Sequence, residues 1–356
     1  VRKLRLDKVA PGAVLARPVL NPFGIVVVPQ GTELTAGFIQ RLREAEITHV
    51  YVEDPIFRGI EPKEPVPGSV KGKVMSLLKR IKQEQLTNSH ELYDETFALV
   101  KEIEEHLFSG DTSSVNIVDL VSPEEYLVVH SLNVTVLSMI MAYHNGFPNR
   151  ITEVGMGALL HDLGMLFIDQ AILQKDGPLD DEERAQVRSH VDRSLKIIGT
   201  SPSWNAFSKV FILQHHERCD GSGYPRGFLC KDIHPVGRIA AIADVYSSLV
   251  YPRSFRQGMM PHQAIEMIMG MAGFELDYHL VESFCQLVVP YPVGTLVRLD
   301  DGTTAVVAAI NKNLKTRPVL RLLTGPDGVA LKEIVELDLA DPKNQTIIIA
   351  EVIPED

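Results

Sequence analysis

Cysteine is scarce: Cys219, Cys230 and Cys285 are the only three in 356 residues. They form no C-x-x-C pair and no even-numbered framework, which points to a reducing compartment, the cytoplasm, rather than to disulfides. Positive charge is in deficit as well. With 35 Lys and Arg against 46 Asp and Glu, a formal net charge of −11 gives no broad basic surface for gripping DNA, RNA or anionic lipid. A small anionic ligand is still permitted, because a few arginines or metal ions inside a pocket suffice. No run of about eighteen apolar residues occurs, and the opening stretch Val1 to Arg5 lacks a signal-like apolar region, so no transmembrane segment is expected. What remains is ordinary, with 45% hydrophobic and 23% charged residues. That composition belongs to a globular chain, and the length suggests two or three folded units.

Local patterning changes three times along the chain. Short apolar runs at Val14–Ala16, Ile25–Val28 and His49–Val52, separated by Pro and Gly turns, predict a small β-rich module over residues 1–60 with one helix near Ala36–Ala45. Residues 61–111 begin with a proline-rich linker and continue with helical spacings at Leu77, Leu78 and Ile81, then Phe97, Leu99, Val100 and Ile103. These connecting helices are expected either to pack across a homodimer or to serve as a spacer. From 112 to 289 every periodic stretch is helical. Ser122-Pro-Glu-Glu125 reads as a capping box opening a helix to Asn145, and Asp180 with Glu183 opens another whose apolar stripe is Val187, His190, Val191, Leu195 and Ile198. Residues 290–356 return to strands, with Asp301-Gly302 as a hairpin turn.

Within the helical segment, His130, the adjacent pair His161-Asp162, His190, the adjacent pair His215-His216, and Asp244 fall on successive predicted helices. One such histidine is more often a hydrogen-bonded core residue than a ligand. Together they match a recurrent way of holding metals, with imidazole and carboxylate projecting into a bundle core. Adjacent ligands on a helix point about 100° apart, so His161 and Asp162 can reach different ions or bridge them. A set without thiolate suits Fe, Mn or Zn.

His161-Asp-Leu-Gly164 resembles the HD motif, and His215-His-Glu-Arg-Cys-Asp-Gly-Ser-Gly-Tyr-Pro225 resembles the extended HD-GYP signature; the resemblance covers roughly residues 115 to 290. It implies a mainly α fold, an all-helical HD-type metal-binding bundle flanked by small β-rich modules. It also implies hydrolysis of cyclic di-GMP to linear pGpG and, in some members, GMP. By similarity His130, His161, Asp162, His190, His215, His216 and Asp244 are metal ligands or their neighbours, with His161 and Asp162 at the catalytic centre and Asp162 the bridging candidate. The implied cofactor is two divalent ions, Fe or Mn first, with Zn, Mg or Ni also admissible. Arg253 and Arg256 match the family's substrate-binding arginines, although solvated arginines would read the same. Asp220, Gly221, Gly223 and Tyr224 form a turn-rich loop expected to shape the pocket and to contact diguanylate cyclase (GGDEF) partners. Tyr224 has three open roles: stacking on a base, donating to a phosphate, or plain packing.

Three positions depart from the family pattern. Met165 stands where a lysine is usual, Tyr126 where three-metal members carry glutamate, and Ser247 where another aspartate is usual. Glu125 is adjacent to Tyr126 but faces another side of the helix, which favours two metals over three. The departures leave the ligand set intact and thin the shell around the substrate, so reduced activity is an expectation. Alternatives to a cyclic di-GMP phosphodiesterase are a catalytically weak sensor or scaffold and a phosphohydrolase for another cyclic dinucleotide.

Overall fold

The computed structural model describes residues 1–20, 26–45, 47–62, 65–83, 89–109, 126–175, 177–199, 201–251 and 258–353. Two compact units emerge, one drawn from residues 1–21, 25–64 and 289–356, the other running over 65–288.

In the first unit, β1 (Arg2–Arg5), β2 (Ala13–Val14), β3 (Val19–Leu20), β4 (Val26–Val28), β5 (Glu33–Leu34) and β6 (His49–Val52) form two-stranded antiparallel pairs, β1 with β6, β2 with β5 and β3 with β4. Alternation in β6 buries Val50 and Val52, as a half-buried strand requires. The helix α1 (Ala36–Glu44) starts at Thr35, whose side chain accepts from the Phe38 N–H, and it buries Ile39 and Leu42.

The second unit is helical: α2 (Gly68–Lys82), α3 (Ser89–Phe108), α4 (Tyr126–His144), α5 (Ile151–Leu160), α6 (Gln170–Leu173), α7 (Asp181–Arg188), α8 (His190–Ile198), α9 (Ala206–Gln214), α10 (Pro235–Val250), α11 (Pro261–Met271) and α12 (Tyr278–Leu287). Central α4 packs on α5 and α10, and α9 closes the group against both. The α5–α9 approach depends on Gly157, where an added Cβ would lie 2.7 Å from the Ser208 carbonyl oxygen. Among the described residues α4 is long and apolar enough to span a bilayer, yet 83% of its apolar window is buried inside the unit. The helices α2 and α3 also bury Val74, Val100 and Ile103 in this core. The Ser122–Glu125 cap lies outside the described residues. At Asp180 the capping box forms as expected, but the single helix predicted beyond it is divided at Ser189 into α7 and α8. The Ser189 hydroxyl bonds back to the Gln186 carbonyl at 2.6 Å, a competition with the helix ladder that bends helices.

The chain returns to the first unit through a five-stranded antiparallel sheet, ordered β10-β9-β8-β7-β11, from β7 (Leu296–Leu299), β8 (Thr304–Ala309), β9 (Val319–Thr324), β10 (Ala330–Asp338) and β11 (Ile349–Val352). Gly302, at φ 92°, makes the β7–β8 turn. Leu320, Val297, Leu299 and Val307 form the core of the sheet. The terminal segments, read from sequence as separate modules, share packing: Phe57 and Ile60 cluster with Val306. Arg321 ties them further, donating to the carbonyls of Ile56 and Arg58 at 2.9 and 2.6 Å. The sequence reading contains no counterpart of β10, because Glu333 and Glu336 break its apolar pattern and Ile334 and Val335 are exposed. The fold is therefore mainly helical, with N-terminal strands and a C-terminal antiparallel sheet.

Leu320→Ala should lower the stability of the first unit by about 2–5 kcal/mol, the usual cost of a buried leucine cavity. Urea unfolding of the variant measures it; a midpoint equal to the parent's would contradict the packing described.

Candidate metal centre

Helices and their ends deliver every His and Asp of the predicted ligand set. His130 lies in the first turns of α4, His161 and Asp162 directly follow α5, His190 opens α8, His215 and His216 directly follow α9, and Asp244 lies on α10. Each of these carboxylates, and each imidazole except the partly exposed His216, is buried.

Their hydrogen bonds decide which nitrogen is bare. Nδ1 of His161, His190 and His215 lies 2.7 Å from the carbonyl oxygens of Ala158, Val187 and Ile212. A carbonyl only accepts, so Nδ1 carries the proton and donates, leaving Nε2 with an unprotonated lone pair. These Nε2 atoms converge. His161 Nε2 is 3.2 Å from His130 Nε2, and His190 Nε2 is 3.2 Å from His215 Nε2.

Asp162 stands between the two pairs. Its Oδ2 is 3.6 and 3.5 Å from Nε2 of His130 and His161, and its Oδ1 is 3.2 and 3.7 Å from Nε2 of His190 and His215. Asp244 spans the same gap, with Oδ1 3.3 Å from His130 Nε2 and Oδ2 3.3 Å from His216 Nδ1. Two ligand groups result, His130–His161–Asp162 and Asp162–His190–His215–His216, sharing Asp162.

Burial pushes the Asp162 carboxyl up, but His161, His215, His190 and His130 outweigh it and hold the group well below the usual carboxylate range. Asp244 behaves alike: burial opposes ionisation, and His216 and His130 prevail. Burial, reinforced by His216, holds His215 well below the usual imidazole value. His216 is also lowered by burial, against the pull of Asp244. Ionised carboxylates beside neutral imidazoles are the protonation states a metal requires.

Asp162 Oδ1 is buried without a hydrogen bond. Such an atom is costly unless a cation meets it, and the facing lone pairs on Nε2 of His190 and His215 repel for the same reason. This oxygen and nitrogen donor set fits a metal centre.

Several supporting residues escaped the sequence reading. The Ser247 hydroxyl, noticed there only as a missing carboxylate, lies 2.9 Å from His130 Nδ1. Tyr126 stacks on the His130 ring at 5.5 Å. The Ser194 hydroxyl accepts from the Gly164 N–H at 2.8 Å and donates to the His161 carbonyl at 2.9 Å. Gly164 admits no side chain there, since a Cβ would fall 2.2 Å from the His190 carbonyl oxygen. Glu217, fully buried, accepts from the N–H groups of Arg226 and Phe228 at 2.8 and 3.0 Å and so pins the loop after His216. Its signal was a carboxylate inside a turn-rich motif.

In that loop Asp220 accepts from the Ser222 N–H and hydroxyl, Gly221 takes φ 81°, and Gly223 packs so closely that a Cβ would lie 2.4 Å from the Arg218 nitrogen. Asp220 and these glycines thus hold the loop's shape. It carries the Tyr224 ring to 4.6 Å from the His216 ring. Met165 is half-buried in the turn after Asp162. Arg253 and Arg256 lie outside the described residues.

The cysteine expectation is corrected. Cys219 and Cys230 form a disulfide, because Asp220 and Leu229 pair as an antiparallel bridge and the Cys230 N–H donates to the Cys219 carbonyl, bringing the two side chains together. Only Cys285 is free.

Fold and site together define a histidine–aspartate helical domain: residues 114–280 match the HD domain, and residues 296–356 match the KOW domain associated with HD domain. The chain is similar to the cyclic di-GMP phosphodiesterase PA4108 of Pseudomonas aeruginosa, 32% identical over 210 residues, which is 59% of this chain and 50% of that protein. It is also similar to the cyclic di-GMP phosphodiesterase PdeB of Borreliella burgdorferi, 25% identical over 199 residues, 56% of this chain and 52% of that protein. A third relative is the 3'3'-cGAMP-specific phosphodiesterase 2 of Vibrio cholerae, 38% identical over 124 residues, 35% of this chain and 24% of that protein. The chain spans about half the length of the first two relatives and less of the third. Two of these three relatives are thus cyclic di-GMP phosphodiesterases by name, and the third is named for 3'3'-cGAMP.

Ser247→Ala should weaken metal binding by about 10–100-fold, the usual effect of removing a ligand's outer hydrogen-bond partner. Competition against a chelator reads it, and unchanged affinity would contradict the role assigned to Ser247. For the metal-free protein the sign of the pH dependence follows from His215 and His216. Their folded-state values lie below the unfolded one, so the folded chain binds fewer protons and loses stability as pH falls below about 6.5. The Tm in chelator should drop between pH 7.5 and 5.5; a flat profile would contradict the buried neutral pair.

Proposed function

We propose that the chain is a metal-dependent phosphodiesterase that hydrolyses cyclic di-GMP to linear pGpG, GMP or both, using two divalent ions, Fe or Mn. The observation carrying this reading is Asp162, whose two carboxylate oxygens each face a separate pair of imidazole nitrogens.

One ion would be held by His130, His161, Asp162 and Asp244, the other by Asp162, His190, His215 and His216. When bound, such ions supply Lewis acidity toward water and toward the phosphoryl oxygens. The chain's own residues do the rest. The carbonyls of Ala158, Val187 and Ile212 fix the imidazole tautomers, Ser247 and Tyr126 fix the His130 ring, and Glu217 fixes the loop that brings Tyr224 to the site. The Tyr224 hydroxyl keeps its proton at any ordinary pH, since burial raises its pKa and Asp244 and Asp162 add to the effect. It can therefore donate a hydrogen bond to an anionic phosphate.

A second cyclic dinucleotide is favoured by one comparison: a relative named for 3'3'-cGAMP shares 38% identity. Met165 instead favours a catalytically weak sensor, because a soft thioether replaces a cation.

The test is incubation of anaerobically prepared, Mn- or Fe-loaded protein with cyclic di-GMP, followed by chromatography. The parent should give pGpG or GMP, and Asp162→Ala should lose metal and all turnover. No product with either metal would contradict the enzyme reading, and full metal content in the variant would contradict the bridging role.

A further inference from the structure

Several arginines around the site are already engaged. Arg218 donates to the carbonyls of His215 and Glu217, Arg193 to the carbonyl of Phe167, and Arg238 pairs with Asp277. Arg188 differs. Among the described residues it makes neither a hydrogen bond nor an ion pair, and its guanidinium carbon lies 4.9 Å from the centroid of the Tyr224 ring.

Its place in the chain is telling. Arg188 is the last residue of α7, and His190, a member of the ligand set, is the first of α8. The Tyr224 ring beneath it lies 4.6 Å from the His216 ring and 6.4 Å from the His190 ring. The guanidinium is therefore one aromatic ring removed from the ligands, and it is exposed to solvent. Stacking on a ring face orients the guanidinium plane without consuming its N–H donors. The donor edge stays available for a phosphate, which it matches in a bidentate fork.

We infer that Arg188 is a substrate-binding residue that holds a phosphate of the cyclic dinucleotide, supplying from the α7–α8 joint the cation that Met165 does not provide. This rests on the cyclic-dinucleotide reading of the site. A cyclic dinucleotide carries two phosphodiesters, and with one at the Asp162 centre the other is an anion that the free donor edge of Arg188 can meet. Tyr224 then has a double part, as the platform for Arg188 and as a neighbour of the ligands.

The experiment uses the full chain loaded with Mn and compares the parent with Arg188→Met, Arg188→Lys and the double variant Arg188→Met with Met165→Lys. The readouts are cyclic di-GMP affinity by calorimetry, KM and kcat, and metal content by elemental analysis. Arg188→Met should raise Kd and KM about 10–100-fold, with the loss falling on KM rather than kcat and metal content equal to the parent's. Arg188→Lys and the double variant should each recover part of the affinity. A parent that binds beside an Arg188→Met variant that binds equally well overturns the inference alone. Loss of metal in Arg188→Met, or a fall in kcat at unchanged Kd, overturns it too by assigning Arg188 a structural part. A parent that neither binds nor cleaves cyclic di-GMP removes the functional reading and the inference together.

Discussion

Lone pairs that face one another inside a protein are the constraint around which this helical unit is built. Three backbone carbonyls take the Nδ1 protons of His161, His190 and His215, and that choice leaves the bare Nε2 atoms of His190 and His215 opposed at 3.2 Å and a carboxylate oxygen without a donor. Apolar packing alone would select against the arrangement. Burial amplifies both the repulsion among these acceptors and their attraction for a cation, so the same low-dielectric core that makes the cluster expensive when empty of positive charge makes it selective for it.

The scaffold serves that cluster at close range. Each of these three histidines sits at or beside a helix terminus, where the carbonyl three residues earlier is free to accept from the ring. Gly157 lets α5 and α9 approach, and Gly164 lets the turn after Asp162 press against His190, so the two halves of the ligand set meet without a Cβ between them. Glu217 does for the following loop what an N-terminal cap does for a helix, taking two N–H groups that would otherwise be unpaired. The loop is thus held near the centre by a buried carboxylate and by the Cys219–Cys230 bond.

Much of this was legible in the sequence because its signals are local. Helical periodicity marked α4, α5 and α9 to α12 and read α7 and α8 as one helix, and the paired motifs His161-Asp162 and His215-His216 announced the ligands before any contact was known. What escaped depends on relations between distant segments. Ser247 reads as a lost carboxylate until His130 is seen beside it. The pairing of Cys219 with Cys230 follows from a strand-like return of the intervening loop, which spacing does not encode. The terminal modules look independent because no linear pattern can show Arg321 bonding to the carbonyls of Ile56 and Arg58. The strand β10 escaped because its charged residues interrupt the alternation by which strands are recognised.

The account stands on cations satisfying the acceptors that flank Asp162. Calorimetric titration of Mn(II) into the metal-free chain measures this directly. Saturation at two ions per chain, with protons released little above the number expected for neutral imidazoles and ionised carboxylates, is the predicted result. Absence of saturable binding, or saturation that survives unchanged when Asp162 is replaced, would contradict it.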